Sequence, residues 1–414
     1  MTINIGLKEK LMSDKFCSMP WIGMFYHTEK AKVCCASQHK SSLSPIEFRK
    51  SDFVKQLKKD FLDSKQPESC KDCWDLEDVG MRSVRHNLMS SREHQTINDF
   101  NLEDEYDLEF IELRVSNLCN FSCSICNAES STQLGKEITK FPKLLKFFWA
   151  DAGLVEISDS NHQEILSFMP KMQHLHLTGG EPMLIKQYYE LLDLLISNGY
   201  SNKMLLQITT NGSVLNSNIL NRFDQFKTTR IVVSIDAVNE KAEYQRYGTD
   251  WAVVKENCFT YARREDTNQH GNLFNLVINT AISAYTVLGF SELASLMADL
   301  YEINPTIHWM GSLVFGRPEI NCTVLDKRFR KKALIELKSA ESIIAPTNFE
   351  PMKKQISALI NILSREDNYG DFNSFVEFTN NVDANRKKSF YDVFGYKLVD
   401  DDDNFCPAPW VLVD

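Results

Sequence analysis

From about residue 108 to residue 320, the sequence alternates short β-like runs with stretches of helical periodicity. The β-like runs are FIELRVS, HLHLTG, LLQITTN, IVVSID, NLVINTAIS and TIHWMGSLVF. Helical periodicity lies between them, as in QYYELLDLLISNG, SNILNRFDQF and FSELASLMADLYEIN. Six strands separated by crossovers predict an α/β fold with a parallel sheet or barrel. In such folds the chemistry gathers at the carboxyl ends of the strands.

Three cysteines, Cys119, Cys123 and Cys126, directly follow the first of these runs, where a site is expected. The amino-terminal segment MTINIGLKEKLMSDKF carries charges where a signal peptide needs an apolar stretch, so we expect a cytoplasmic protein. In a reducing compartment, clustered cysteines indicate metal binding, whereas isolated ones such as Cys258 and Cys322 are expected in the core. Three thiolates suit a soft metal or an iron–sulfur cluster. On a 4Fe–4S cluster they leave one iron open to chelate a small ligand and pass it an electron.

The composition narrows the classes of function. The net charge is −10, which argues against a general binder of nucleic acid or of acidic membranes. No apolar stretch reaches about 18 residues, so no helix is expected to span a membrane. The hydrophobic content of 43% and the charged content of 25% are ordinary for a soluble globular protein, and 414 residues suffice for two or three domains.

Polar motifs follow the later β-like runs in the same way. They are LTGGEP, TTNGS and VVSIDA, with YQRYG shortly after the last, and they contain Gly179, Gly180, Glu181, Asn211, Ser234, Asp236 and Arg246. Each has an ordinary explanation on its own: GGEP as a turn, TTNGS as a hairpin or loop, and Asp236 as a helix N-cap. His174 and His176 alternate with leucines on one strand, which favours a structural role. The order of the motifs, each after a successive strand at the same end of the sheet, indicates a site.

With the C-x3-C-x2-C spacing of Cys119, Cys123 and Cys126, these motifs resemble the radical S-adenosylmethionine superfamily. The resemblance implies a partial, TIM-like (β/α)6 barrel in which the three cysteines bind a 4Fe–4S cluster and this cluster binds S-adenosylmethionine. It also implies residues that bind S-adenosylmethionine. Gly179, Gly180 and Glu181 would bind its amino group, and Arg246 its carboxylate. Ser234 and Asp236 would face its ribose and carboxylate, and Asn211, after the third strand, would also bind the cofactor. One departure is Ile125, where the family often has an aromatic residue that packs on adenine; isoleucine offers an apolar surface without stacking.

A second cysteine group lies between residue 15 and about residue 90. The segments FCSMPWIGMFYHTEKAKVCCASQ and FLDSKQPESCKDCWDLEDVGMRSVR resemble the SPASM/twitch class of auxiliary iron–sulfur domains, with a C-x2-P-W start, a hairpin that ends in a cysteine pair, and a C-x2-C. The resemblance implies four ligands, namely Cys17, one of Cys34 and Cys35, Cys70 and Cys73. Four thiolates can hold a second 4Fe–4S cluster or a zinc ion, and the family match favours the cluster. This domain usually follows the barrel, and here it precedes it.

These patterns predict an auxiliary domain at 1–105, a radical SAM partial barrel at 106–320 and a helical region at 321–414. The end of the chain carries FCPAPW, which repeats FCSMPW at identical offsets and contains Cys406. Either this tail is the remnant of an interrupted module, or Cys406 completes a site with the amino-terminal group, or the natural protein continues further. We favour the remnant, because four ligands are already available without Cys406.

The resemblance implies a radical S-adenosylmethionine enzyme. A one-electron donor such as flavodoxin or ferredoxin would reduce the barrel cluster, which would cleave S-adenosylmethionine to methionine and a 5′-deoxyadenosyl radical that abstracts hydrogen from a substrate. The SPASM/twitch class often modifies peptides or proteins, which favours such a substrate, while other members act on small molecules. The alternative from another class is a non-catalytic module, in which zinc or a structural iron–sulfur cluster holds two domains together.

Overall fold

The computed structural model describes residues 15–78, 83–90, 100, 102, 108–148, 153–264, 272–314, 316–365 and 370–398. Within these ranges, no helix combines the length and the apolar character needed to cross a membrane. Cys406 and the rest of the FCPAPW motif lie outside the described residues, so the expectations about them stay predictions.

The described residues form ten strands: β1 (Gly23–His27), β2 (Lys30–Lys32), β3 (Phe110–Arg114), β4 (Ser122–Cys123), β5 (His174–Leu177), β6 (Leu205–Thr210), β7 (Thr228–Ser234), β8 (Arg246–Tyr247), β9 (Leu273–Ile282) and β10 (His308–Leu313). Eight of them form one sheet in the order β10-β9-β7-β6-β5-β3-β1-β2, and β4 pairs with β8. The pairs β1–β3, β3–β5, β7–β9 and β9–β10 are parallel, whereas β1–β2 and β4–β8 are antiparallel.

Seventeen α-helices lie in the same ranges: α1 (Met19–Ile22), α2 (Pro45–Lys50), α3 (Asp52–Leu62), α4 (Lys71–Asp78), α5 (Val84–Ser90), α6 (Thr132–Lys140), α7 (Asp159–Phe168), α8 (Lys186–Ser197), α9 (Ser217–Phe223), α10 (Asn239–Gln245), α11 (Trp251–Ala262), α12 (Ala284–Val287), α13 (Phe290–Ile303), α14 (Lys327–Ile344), α15 (Glu350–Leu363), α16 (Phe372–Arg386) and α17 (Phe390–Phe394). Several begin at a capping side chain, as where Ser51 accepts from the N–H of Val54 and Asp326 accepts from the N–H of Phe329. One free N–H group at each of these two helix starts is thereby satisfied.

The six β-like runs are all strands, and they are consecutive in the sheet, from β3 through β5, β6, β7 and β9 to β10. The predicted α/β class with a mostly parallel sheet is therefore confirmed. The region from α14 to α17 is helical, also as predicted. The sheet is wider than we expected, because β1 pairs with β3 and carries β2 with it. Met24 and Tyr26 of β1 are fully buried, which explains why this short strand joins the sheet.

The chain forms two compact units. Unit 1 comprises residues 1–116, 156–179 and 190–206, and unit 2 comprises residues 117–155, 180–189 and 207–414. In unit 1 the ring of Phe16 stacks on Trp21 with centroids 5.4 Å apart. In unit 2 the ring of Tyr285 packs against Tyr244 at 5.5 Å and against Phe375 at 5.3 Å, so the carboxy-terminal helices share the core of this unit. The predicted domain limits 1–105, 106–320 and 321–414 stay a prediction.

Candidate functional site

The cysteine loop, residues 117–127 of unit 2, contains the three cysteines of the predicted cluster site. Cys119 and Cys123 are buried and Cys126 is half-buried, as is Ile125. The hydroxyl of Thr132 accepts from the N–H of Cys119 and donates to its carbonyl, each at 3.2 Å. The N–H of Cys126 donates to the carbonyl of Cys123 at 3.1 Å. The backbone of the loop is thus held at all three cysteines.

The charges of the thiols in this loop affect one another's pKa. Burial raises the pKa of the Cys119 thiol to about 11, and the nearby thiolate of Cys126 acts in the same direction. Burial also raises the pKa of Cys123, although the cation of Arg246 works against it. Binding of a soft metal at these side chains therefore has to release protons, as is usual for thiolate sites.

Gly180 allows the loop after β5 to pass against the backbone that precedes Cys119. A methyl group on Gly180 would lie 2.0 Å from the carbonyl oxygen of Leu118 and 2.7 Å from the carbonyl carbon of Asn117. The N–H of Glu181 donates to the same Leu118 oxygen at 2.7 Å. Gly179 has a φ of 132°, which side chains rarely allow. Both glycines are therefore needed for the backbone geometry of this turn.

Glu181 is fully buried, and the chain itself binds its carboxylate. Oε1 accepts from the Thr210 hydroxyl at 2.7 Å and from the N–H of Met183 at 3.0 Å. Oε2 accepts from the N–H of Asn211 at 2.7 Å. Burial raises the pKa of this carboxyl, and the three hydrogen bonds oppose the rise. Glu181 thus joins the turn after β5 to the end of β6, a role that the sequence did not reveal; its contact with an amino group stays a prediction.

Side-chain amides connect the end of β6 to the cysteine loop. Nδ2 of Asn211 donates to Oδ1 of Asn120 at 2.8 Å, and Nδ2 of Asn120 donates to the hydroxyl of Ser213 at 3.0 Å. Asn211 itself is buried. The sequence patterns did not predict Asn120 as a site residue, although it directly follows the first cysteine. This pair places the predicted cofactor residue Asn211 beside the cysteine loop.

Asp236 and Arg246 form an ion pair, with 2.8 Å between Oδ2 and Nε. Asp236 also accepts from the N–H of Ala281 at 2.8 Å, and the N-cap of the following helix α10 is Val238, so the N-cap explanation of Asp236 is wrong. Arg246 lies opposite Cys123 in the β4–β8 pair, with Nη1 3.9 Å from the Cys123 sulfur. Burial lowers the pKa of Arg246, but the charges of Asp236 and Cys123 outweigh it and raise the pKa above its usual value.

The residues of unit 2 fit a cluster that has three protein thiolates and an open iron. Three soft donors share one loop, a permanent cation lies against the second of them, and a glycine turn lies against the backbone before the first. Ser234, which is half-buried, ends β7 two residues before Asp236. The structure therefore brings the predicted residues of unit 2 to one end of its strands.

Two arginines from the far end of the chain also contact the cysteine loop. Arg386 of α16 donates to the carbonyl of Ser122 at 2.5 Å and to the hydroxyl of Ser124 at 3.0 Å. Arg317 donates to the carbonyl of Cys126 at 2.9 Å. No sequence pattern indicated either residue, because contacts across 191 to 264 positions leave no local periodicity.

Four of the five amino-terminal cysteines line one cavity in unit 1. They are Cys17, Cys34, Cys70 and Cys73. Burial raises the pKa of Cys34, and the thiolate of Cys35, followed by the other three thiolates of the cavity, adds to the effect. Cys35 does not line this cavity, and after burial the charges that act most on it are those of Glu112, Lys32 and Arg114. The two members of the cysteine pair therefore have different neighbours.

Arg85 connects the two segments that supply these cysteines. Its Nη1 donates to the carbonyl of Phe16 at 3.0 Å, and its Nε donates to Glu77 at 2.9 Å. Its guanidinium carbon lies 4.8 Å from the ring centroid of Trp74. Because Phe16 precedes Cys17 and Trp74 follows Cys73, this side chain, which also lines the cavity, holds both segments in place.

The remaining sequence expectations concern isolated residues. Cys258 and Cys322 are fully buried, as expected for core thiols. Nδ1 of His176 lies 3.6 Å from Glu112, and the ring of His174 packs on Phe110 at 4.8 Å, contacts that agree with a structural role.

Within the described ranges, no three histidine, cysteine or acidic side chains are grouped so as to hold a single metal ion.

Known proteins resemble different parts of this chain. Residues 113–265 match the family model of the Radical SAM superfamily. The uncharacterized protein MJ0103 of Methanocaldococcus jannaschii is 31% identical over 136 residues, which are 32% of this chain and 28% of that protein. Streptococcus suis SuiB bound to its precursor peptide SuiA has 14% identity and a TM-score of 0.38, and the match covers 71% of this chain and 59% of SuiB. SuiB bound to S-adenosylmethionine has 15% identity and a TM-score of 0.34, with 72% and 59% covered. The chain thus spans less than two thirds of the length of each of these proteins.

Proposed function

Because residues 113–265 form a domain of the radical S-adenosylmethionine superfamily, we propose that the chain is a radical SAM enzyme. A 4Fe–4S cluster held by Cys119, Cys123 and Cys126, together with S-adenosylmethionine, would supply one-electron reduction and radical hydrogen abstraction. The observation that carries the proposal is the cysteine loop, in which three thiols follow β3 and the second of them, that of Cys123, lies against Arg246. The part of this chain is to hold and orient the two groups and to exclude water.

In this proposal Cys119, Cys123 and Cys126 would hold the cluster, and the amino acid part of S-adenosylmethionine would bind beside it. Arg246 uses Nε for Asp236 and one N–H of Nη1 for the Cys123 sulfur, so three N–H donors are left to bind a carboxylate. Asp236 is then a positioning residue, because it fixes the plane of the guanidinium. Ile125, half-buried in the same loop, offers an apolar surface to the adenine.

The turn after β5 would bind the amino group, by the backbone around Gly179 and Gly180 together with Glu181. The carboxylate of Glu181 accepts three hydrogen bonds from the chain and has about four lone-pair sites, so these bonds leave one site for an ammonium; since the side chain is fully buried, the ammonium reaches it only when the turn shifts. Glu181 therefore supports the site in two ways, by binding the cofactor and by joining two strand ends.

We further propose an auxiliary 4Fe–4S cluster in unit 1, with Cys17, Cys34, Cys70 and Cys73 as its ligands. The shared cavity supports this set and favours Cys34 over Cys35. A single zinc ion would need the four sulfurs closer together, because no such group within the described ranges is arranged to hold one metal ion, and the resemblance to SPASM/twitch domains also favours the cluster. Arg85 places a cation beside this set, which would offset part of the negative charge of a cluster with four thiolates.

The substrate we propose is a peptide or protein, on the strength of the same resemblance. A small one-electron donor protein such as flavodoxin or ferredoxin would supply the electron for each turnover. Cytoplasmic localisation stays a prediction from the sequence.

Anaerobic reconstitution tests these assignments. The wild-type protein should be brown, contain about eight irons per chain for two clusters, and release 5′-deoxyadenosine when it is reduced in the presence of S-adenosylmethionine. Alanine in place of Cys119, Cys123 or Cys126 should abolish that release and remove about four irons, whereas Cys258→Ala, a buried cysteine outside both groups, should keep both. A colourless protein that contains zinc and releases no 5′-deoxyadenosine would favour the non-catalytic module instead.

A further inference from the structure

We propose that Arg386 and Arg317 position the cysteine loop for its cluster, so that the carboxy-terminal helices are part of the cofactor machinery. This inference rests on the proposed function. Together the two side chains are called the loop clamp. Neither touches a cysteine sulfur in the contacts described above; they hold the backbone and the neighbours of the ligands instead.

Arg386 holds the middle of the loop. Its guanidinium binds the carbonyl of Ser122 and the hydroxyl of Ser124, which are the two residues on either side of Cys123. On its other edge, Nε donates to Glu137 at 2.8 Å and Nη2 donates to the same carboxylate at 3.1 Å. Arg386 is only 7% exposed, so Glu137 is needed to offset the cost of burying the cation. The planar guanidinium of Arg386 thereby fixes the orientation of the Ser122 carbonyl and of the Ser124 hydroxyl.

Arg317 holds the end of the loop. It donates to the carbonyl of Cys126, and its Nε donates to Glu319 at 2.7 Å. Its guanidinium carbon lies 4.5 Å from the ring centroid of Phe148 and 5.3 Å from that of Phe378. Phe378 belongs to α16, the helix that also carries Arg386. One helix therefore supports both arginines.

The loop needs such support because its own secondary structure is slight. The strand β4 has only two residues, and its pairing with β8 is equally short. Three thiolates must meet three irons of one rigid cluster, so a loose loop would lose affinity through entropy. Groups that orient metal ligands typically affect metal affinity by about 10–100-fold when they are removed. This range is the expected size of the effect of the loop clamp.

The test compares Arg386→Met with Arg386→Lys, Ser124→Ala and the control Arg263→Met, which breaks an exposed ion pair with Glu256 in the same unit. In reconstituted protein, we expect Arg386→Met to lose iron to a chelator about 10–100-fold faster than wild type, and to bind S-adenosylmethionine more weakly by a similar factor. Arg386→Lys should recover part of the loss, since it restores the charge without the fork. The electron paramagnetic resonance spectrum of the reduced cluster should broaden in Arg386→Met alone.

A readout without iron separates this inference from the proposed function. In the metal-free protein, the amides of residues 119–126 should exchange hydrogen faster in Arg386→Met than in the control. If Arg386→Met exchanges hydrogen, retains iron and gives a spectrum as the wild type does, the loop clamp is refuted and the proposed function is unaffected. If the wild-type protein itself binds no cluster, the proposed function is refuted. Should Arg386→Met fail to fold, Ser124→Ala decides: iron loss faster than in Arg263→Met supports the clamp, and iron loss equal to that of Arg263→Met refutes it.

Discussion

Replacing Gly180 with alanine should disrupt the turn that follows β5. The added methyl group would lie 2.0 Å from the carbonyl oxygen of Leu118 and 2.4 Å from its carbon. Both are backbone atoms, so no side chain can rotate away to make room. The clash falls on the oxygen that accepts the N–H of Glu181 at 2.7 Å. Relief of the clash therefore separates the turn from the residues that precede Cys119.

The size of the effect follows from these contacts. A carbon atom needs about 3.5 Å to a non-bonded neighbour, so the two backbones must part by about 1.5 Å. Strain from overpacking of this kind costs about 1–3 kcal/mol. The hydrogen bond of Glu181, which does not survive such a displacement, contributes about 1 kcal/mol more. We expect Gly180→Ala to lower the free energy of unfolding by about 2–4 kcal/mol in total.

Urea unfolding of the metal-free protein measures this loss, and calorimetric titration with S-adenosylmethionine after reconstitution measures its consequence for the site. Gly316→Ala is the matched control, because nothing lies within 4 Å of the position its methyl group would take. It should shift stability by less than about 1 kcal/mol. An unchanged urea midpoint together with unchanged affinity in Gly180→Ala would refute the close approach of the two backbones.

Three further predictions concern unit 1. Cys34→Ser should remove about four irons from the reconstituted protein and Cys35→Ser none, by iron analysis; equal losses would contradict the choice between them. Burial, with nearby cations, lowers the pKa of His27 from 6.5 to about 3. The contribution of the neutral imidazole to the free energy of unfolding is therefore complete above about pH 6.5 and declines as the pH falls towards 3. Between pH 6.5 and 5 this loss is about 2 kcal/mol, and His27→Gln should remove that slope from urea titrations; a slope that persists points to another group. Arg85→Met removes the guanidinium from Glu77, which keeps the imidazole of His86 at 3.7 Å as an ion-pair partner, and should cost up to about 3 kcal/mol, part of which Glu77→Gln should restore; no restoration would mean that packing on Trp74 dominates.

The strands of the sheet and the cysteine loop could be predicted because their determinants are local. Each of the six strands is a short run with its own β propensity, and the polar residues at its end are adjacent in sequence. The loop places Cys119, Cys123 and Cys126 within eight consecutive residues, so their proximity needs no long-range contact. The chemistry of the thiols then restricts which ligand fits.

Contacts between distant segments could not be predicted in this way. The pairing of β1 with β3 depends on which strand reaches a free sheet edge, and the five residues GMFYH do not encode that choice. Arg386 and Arg317 look like any surface arginine in the sequence, yet they are 7% and 8% exposed. Only the fold shows that a carbonyl of the cysteine loop faces each of them.

Glu181 is the residue for which sequence and structure lead to different expectations of the same variant. If it only accepted the amino group of the cofactor, Glu181→Gln would leave the metal-free protein as stable as wild type. Its two oxygens accept from the N–H groups of Met183 and Asn211, one on each side.

A glutamine has a single acceptor oxygen, so in either orientation its NH₂ group meets one of these N–H donors. One buried N–H is then left unpaired, at a cost of about 1–3 kcal/mol, and this cost is present before any cofactor binds. We therefore expect Glu181→Gln to lower the urea midpoint of the metal-free protein, while the control Glu341→Gln, at an exposed position of α14, leaves it unchanged. A wild-type midpoint combined with weaker binding of S-adenosylmethionine would restrict Glu181 to the cofactor and exclude its role as the link between the turn after β5 and the end of β6.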